Sequence, residues 1–304
     1  MLDAFALPPV ILNGLGLIIS ARYIYGSALF WLLWDDIVTF DDEIDLIWTQ
    51  GITLSSVVFY VNRYGVAAML TVLQYGSSGL STGIHLADPN TSRNQKCQSI
   101  IAALLVGTTI SSALVNGYMS YYYLLLWDRD RRAAITIWLL YFITYLPGGA
   151  LAFKSVADYY KFVHYEPLVN GCYVTQQPVL MKGFWSFLVW FDSCAMLVVI
   201  VNALARPHRR IPDALKALVD DGVLWFAAML VVRVGNLICV TRLDPEKAVL
   251  QLFHTWAFIS ILLSRFILRV ERVRNPQRPM VYIWDKGLET FQMRNWSNPH
   301  VDVP

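Results

Sequence analysis

Charge is what this sequence has little of. Only 15% of its 304 residues are Asp, Glu, Lys or Arg, against 56% apolar, whereas an ordinary soluble domain carries about 25% charged residues. Mean hydropathy is +0.47, and charge-free stretches reach helix length, more than a water-soluble domain could cover. The net charge is only +2, and the basic residues form no stripe interleaved with aromatics, so a nucleic-acid partner is excluded. His85, His164, His208, His254 and His300 occur singly, with no HExxH pattern. A glycine-rich phosphate loop with its lysine is missing, as is a Gly-x-Ser-x-Gly element. No catalytic residue, metal site or cofactor is therefore expected, and the chain is not expected to be an enzyme. The N-terminus lacks the positive n-region of a secretory signal, so the first hydrophobic helix is expected to serve as an uncleaved signal-anchor.

What is present is length in the apolar runs. Crossing roughly 30 Å of hydrocarbon takes about 20 mostly apolar residues, with every backbone group bonded inside the segment. Segments within 16–40, 52–75, 98–127, 133–153, 183–205, 218–241 and 248–264 meet that need. The third carries no charge at all. Pro147-Gly148-Gly149 predicts a kink or early stop in the fourth. Continuous apolar runs also exclude a β-barrel, whose strands alternate lipid-facing and lumen-facing residues. The predicted fold is an all-α membrane protein, a seven-transmembrane-helix bundle in a plasma or endomembrane bilayer. Its expected parts are a short outer N-terminus (1–15), the helical domain (16–267) and a basic cytoplasmic tail (268–304).

Orientation follows from Lys and Arg near the helix ends. With the N-terminus outside, inner loops and tail hold 13 of them and outer loops 7, which places the C-terminus in the cytoplasm. The first inner loop, with Asp41, Asp42, Glu43 and Asp45, is the acidic exception. Asn90 opens an Asn-x-Ser triplet in a predicted outer loop, which is a glycosylation candidate or a chance triplet. Cys97 and Cys172 both fall on the outer side, where a disulfide is permitted. Their pairing would pin the loop 154–182 over the helix mouth.

Ionisable residues inside a bilayer are functional candidates when a partner can be named. Arg63, Asp192 and Arg233 qualify. Counted from the outer helix ends at 1.5 Å per residue, they lie about 18, 14 and 10 Å deep. One carboxylate could bridge both arginines or pair with either, with Asn62 beside them. A ligand or ion-pathway role and a structural ion pair are both open. Asp35 and Asp36, near the inner end, are expected to act as interfacial anchors or to pair with Arg129 or Arg131. His254 is expected to be a packing or hydrogen-bonding residue.

Asp36, Thr39, Glu43, Trp48 and the triplet Asn62, Arg63, Tyr64 follow a recognisable pattern. It consists of an acidic residue ending helix one, a Thr-x-x-x-Glu loop, a tryptophan and an Asn-Arg-Tyr. In these positions the chain resembles the basidiomycete multi-pass membrane proteins carrying domain of unknown function 6533. The resemblance covers about residues 22–73 and implies a fungal membrane protein of no assigned activity. A looser similarity is to seven-helix receptors that couple to G proteins, in the layout, in Cys97 with Cys172, and in Asp128-Arg129-Asp130 as a cytoplasmic coupling candidate. Helix six lacks their proline and helix seven their Asn-Pro-x-x-Tyr. The expected function is receptor-like or sensory, with an unknown small-molecule ligand and a cytoplasmic signalling partner. The alternatives are a transporter or channel for a small anionic solute, and a non-catalytic assembly partner.

Overall fold

The computed structural model describes residues 9–77, 93–126, 131–166, 171–205 and 213–274. Its long helices are α1 (Pro9–Val38), α3 (Leu54–Ser77), α4 (Arg93–Leu126), α5 (Arg131–Phe162), α6 (Val179–Ala205), α7 (Asp213–Arg242) and α8 (Pro245–Arg274). Five of them, α3, α4, α5, α7 and α8, are long and apolar enough over their described residues to cross a membrane. Large apolar side chains on their outer faces, such as Leu146, Phe153, Val72 and Val231, are exposed, and hydrocarbon is the medium that makes such exposure favourable. The chain is an all-α integral membrane protein.

From α3 to α8 each long helix packs against the next in sequence, and α8 closes the bundle by lying against α1 and α3. The core falls into two clusters. One, with Leu70, Leu104, Trp185 and Phe253, fills the end near the hairpin described below. The other, with Phe59, Val115, Phe191, Leu263 and Ile267, fills the opposite end. Gly107 of α4 marks a close approach, because a Cβ there would stand 2.6 Å from the indole of Trp256.

Two helices run a full two turns or more past their predicted C-terminal ends. α5 continues through Pro147 to Phe162, because Ala152, Ser155 and Tyr159 form a buried stripe beyond the proline, so no stop occurs at Pro147-Gly148-Gly149. α8 continues to Arg274, so the tail expected from residue 268 begins as helix. Its extension buries Ile267, Leu268 and Glu271.

The acidic first loop is also structured. Phe40–Leu46 forms the short helix α2, followed by a 3-10 turn at Trp48–Gln50. Asp41, Asp42 and Glu43 occupy the first turn of α2, where the positive end of the helix dipole favours carboxylates. Gly51 then adopts φ +78°, a left-handed backbone that glycine tolerates without strain.

At the other end, β1 (Val163–Glu166) pairs antiparallel with β2 (Gly171–Val174). Val163 and Val174 turn into the core. Cys172 is bonded to Cys97 at the start of α4, 75 residues away in sequence. The backbone N–H of Tyr165 donates to Asn94 Oδ1 at 2.8 Å, and Arg93 donates to the Tyr165 hydroxyl at 3.0 Å. Replacing Cys172 with serine is expected to lower stability by about 2–4 kcal/mol, the usual worth of such a bridge. Thermal unfolding with and without reductant checks this: reductant should shift the parent to the midpoint of the variant and leave the variant unmoved.

Candidate functional site

Consecutive helix residues point about 100° apart, and Asn62 and Arg63 of α3 use that divergence. Asn62 faces α8, donating through Nδ2 to the Ser260 carbonyl and hydroxyl, each at 3.0 Å, and the Ser260 hydroxyl returns a bond to the Asn62 carbonyl at 3.2 Å. Arg63 faces the junction of α1 and α2. Its Nη1 donates to Thr39 Oγ1 at 2.8 Å and its Nη2 to the Asp36 carbonyl at 2.7 Å. Nε lies 3.1 Å from both Asp36 Oδ1 and Glu43 Oε2. The guanidinium also sits over the Phe59 ring, 5.3 Å from its centroid.

Arg63 is 1% exposed and Glu43 0%, so each needs the other. A charge buried without a partner is far costlier than a pair whose hydrogen bonds are filled. Glu43 takes its hydrogen bonds through its other oxygen. Oε1 accepts from the Trp48 indole at 2.9 Å and from the Tyr64 hydroxyl. Thr39, Asp36, Glu43, Trp48, Arg63 and Tyr64 therefore form one knot that folds α2 back against α1 and α3.

α8 completes the knot from outside. Asp35 Oδ1 accepts from Arg265 Nε at 2.6 Å, and Asp42 pairs with Arg272. Asp35 and Asp36 therefore pair with neighbouring helices, one holding α8 and the other α3, while Arg129 lies outside the described residues. Reading the sequence for charges inside the spans misses Arg265 and Arg272. Their spacing is a usable signal, since seven residues make two helical turns and put both on one face opposite an acidic loop.

Arg63 does not join Asp192 and Arg233, so the single expected network divides in two. Depth along a helix axis says nothing about which face a residue occupies, and Arg63 turns to α1 while the other two meet between α6 and α7. There Arg233 Nη1 donates to Asp192 Oδ1 at 2.9 Å, and Nη2 to Asn116 Oδ1 of α4 at 2.8 Å. Arg233 is 0% exposed and Asn116 2%. One turn along α7, Asn236 accepts from the Thr255 hydroxyl of α8 at 3.0 Å. A search for charge alone misses Asn116 too, although an asparagine within a charge-free span is a signal in itself.

His254 Nε2 meets the Ser27 hydroxyl of α1 at 2.9 Å, a contact between helices. Among the described residues no group of three or more His, Cys, Asp or Glu is placed to hold a metal ion. Asn90 and the triplet Asp128, Arg129, Asp130 lie outside the described residues.

No curated protein and no solved structure matches the chain. Residues 23–68, which supply every knot residue except those of α8, match a family of unknown function, DUF6533.

Proposed function

We propose that the chain is a seven-span receptor-like or sensory membrane protein, with its N-terminus outside and its C-terminus in the cytoplasm. In this reading α1 and α6 join the five apolar helices as spans. The observation that carries it is the cluster of Asp192, Arg233 and Asn116, which ties α4, α6 and α7 together within the bundle. Ionisable groups at such depth are costly and are placed where helices must be held in a specific arrangement or exchanged between two. A ligand arriving beneath the Cys172 hairpin would bias that arrangement, and the cytoplasmic ends of α4 to α7 would report it. The first turn of α5, with Arg131 and Arg132, belongs to that output surface.

The charge balance favours this reading over transport of an anion. Arg233 is neutralised by Asp192, and Arg63 is committed to Asp36 and Glu43, so neither guanidinium offers an unopposed charge to a solute. Flux of chloride and phosphate through proteoliposomes tests this, with Arg233→Leu as the control. No movement above protein-free vesicles is expected. Protein-dependent flux lost in Arg233→Leu would replace the receptor reading with the transporter one. A protein that only packs against another membrane protein would show neither flux nor any loss of cytosolic partner binding when Arg131 and Arg132 become alanine.

A further inference from the structure

The last turn of α8 holds two adjacent residues with opposed preferences. Arg272 is engaged by Asp42 of α2, and both side chains are partly exposed, at 32% and 40%. Glu271 is 1% exposed, and neither of its carboxylate oxygens has a hydrogen-bond partner among the described residues. Its cation, Arg274 Nη1, stands 3.7 Å from one oxygen and belongs to a side chain that is 66% exposed. A buried carboxylate without bonded partners is unstable relative to a hydrated one. The arrangement that closes Asp42 on Arg272 thus keeps Glu271 where it is least stable. Because neighbouring residues share one helical turn, unwinding of that turn frees Arg272 and hydrates Glu271 together.

The strap that reaches Arg272 is built to be held at one point and exchanged at another. It is bounded by Thr39, where φ −102° and ψ 8° depart from the helix, and by Gly51 with φ +78°. Between them Glu43 is locked to Arg63, Tyr64 and Trp48 in the buried knot. Asp42, one residue away, makes a solvent-facing ion pair of the kind that is individually weak.

We infer that Asp42 and Arg272 form a releasable latch on the last turn of α8, opposed by the buried carboxylate of Glu271. Closed and open states of that turn are then close in free energy. Arg265, two turns earlier, remains on Asp35, so opening is confined to the end of the helix and changes the direction in which the chain leaves it. A cationic group offered to Asp42, or an anionic one offered to Arg272, shifts the balance toward the open state. This inference is independent of the receptor reading, since it holds whatever the rest of the bundle senses.

Hydrogen–deuterium exchange of residues 262–274, in the full chain reconstituted in lipid nanodiscs, tests it. Asp42→Lys is expected to speed exchange there by about threefold, the population change that one exposed ion pair can hold. The swapped pair Asp42→Lys with Arg272→Glu should return it to the parent rate. Glu271→Leu should slow it, both alone and in the Asp42→Lys background, because it removes the group that drives opening. Exchange unchanged by Asp42→Lys, still raised in the swapped pair, or unaffected by Glu271→Leu overturns the latch. If Asp42→Lys loosens the whole bundle, exchange in α5 rises with it, and the swapped pair and Glu271→Leu alone decide.

Discussion

Replacing Arg63 with methionine is expected to be the most damaging single change in the protein. It keeps the length and apolar stem of the side chain but strands Glu43, which is 0% exposed, beside Asp36. Removing one partner of a buried ion pair typically costs about 3–5 kcal/mol, since the remaining charge stays buried without compensation. That is a large part of the stability of most domains. The measurement is the yield of monodisperse protein and its thermal midpoint in detergent. Adding Glu43→Gln should recover a substantial part of the loss, because a neutral amide still accepts from Tyr64 and Trp48. If Arg63→Met alone melts like the parent, the knot is not what holds α2.

The second large effect lies at Asp192 and Arg233, where single and paired substitutions should disagree. Asp192→Leu leaves an arginine that is 0% exposed without its carboxylate partner. A loss of about 3–5 kcal/mol is expected, and the reverse single Arg233→Leu should be similarly damaging. The double replacement removes both charges and should be milder than either single, since a well-packed apolar pair often equals a buried ion pair in stability. Thermal midpoints of the four proteins give the coupling directly. The same set also separates the two roles left open by the sequence. A purely structural pair predicts that the double variant regains both stability and any cytosolic partner binding, whereas a sensing role predicts that it regains stability alone. Additive losses in the singles and the double would show that the pair is not coupled at all.

The helices are largely legible in the sequence. Apolar runs of more than twenty residues can only be helices in a bilayer, because no other local geometry satisfies the backbone there. The boundaries are less so. Pro147 reads as a stop locally, yet α5 passes through it, because the buried stripe of Ala152, Ser155 and Tyr159 outweighs one lost hydrogen bond. α8 reads as ending at Ser264, where charge begins, yet its arginines are compatible with helix once acidic partners stand opposite them.

The candidate site is legible as residue types but not as pairs. Asp36, Thr39, Glu43, Trp48, Arg63 and Tyr64 stand out in the sequence, and all enter one knot. Spacing nevertheless leaves open which arginine Asp192 meets, because position along a helix gives depth while pairing depends on azimuth. Azimuth is set by which neighbour each helix packs against, and that is a property of the whole bundle.

The scarcity of charge in this sequence determined, by itself, the solvent of the protein. Long uncharged runs cannot be hydrated, so they must be helical and in lipid. Where its few charges go was decided only in three dimensions. Asp35 finds Arg265 across 230 residues, and Asn62 finds Ser260 across 198. In a low-dielectric interior a buried charge is stabilised by an opposite one, and Asp35, Glu43 and Asp192 find theirs through contacts that no local pattern encodes.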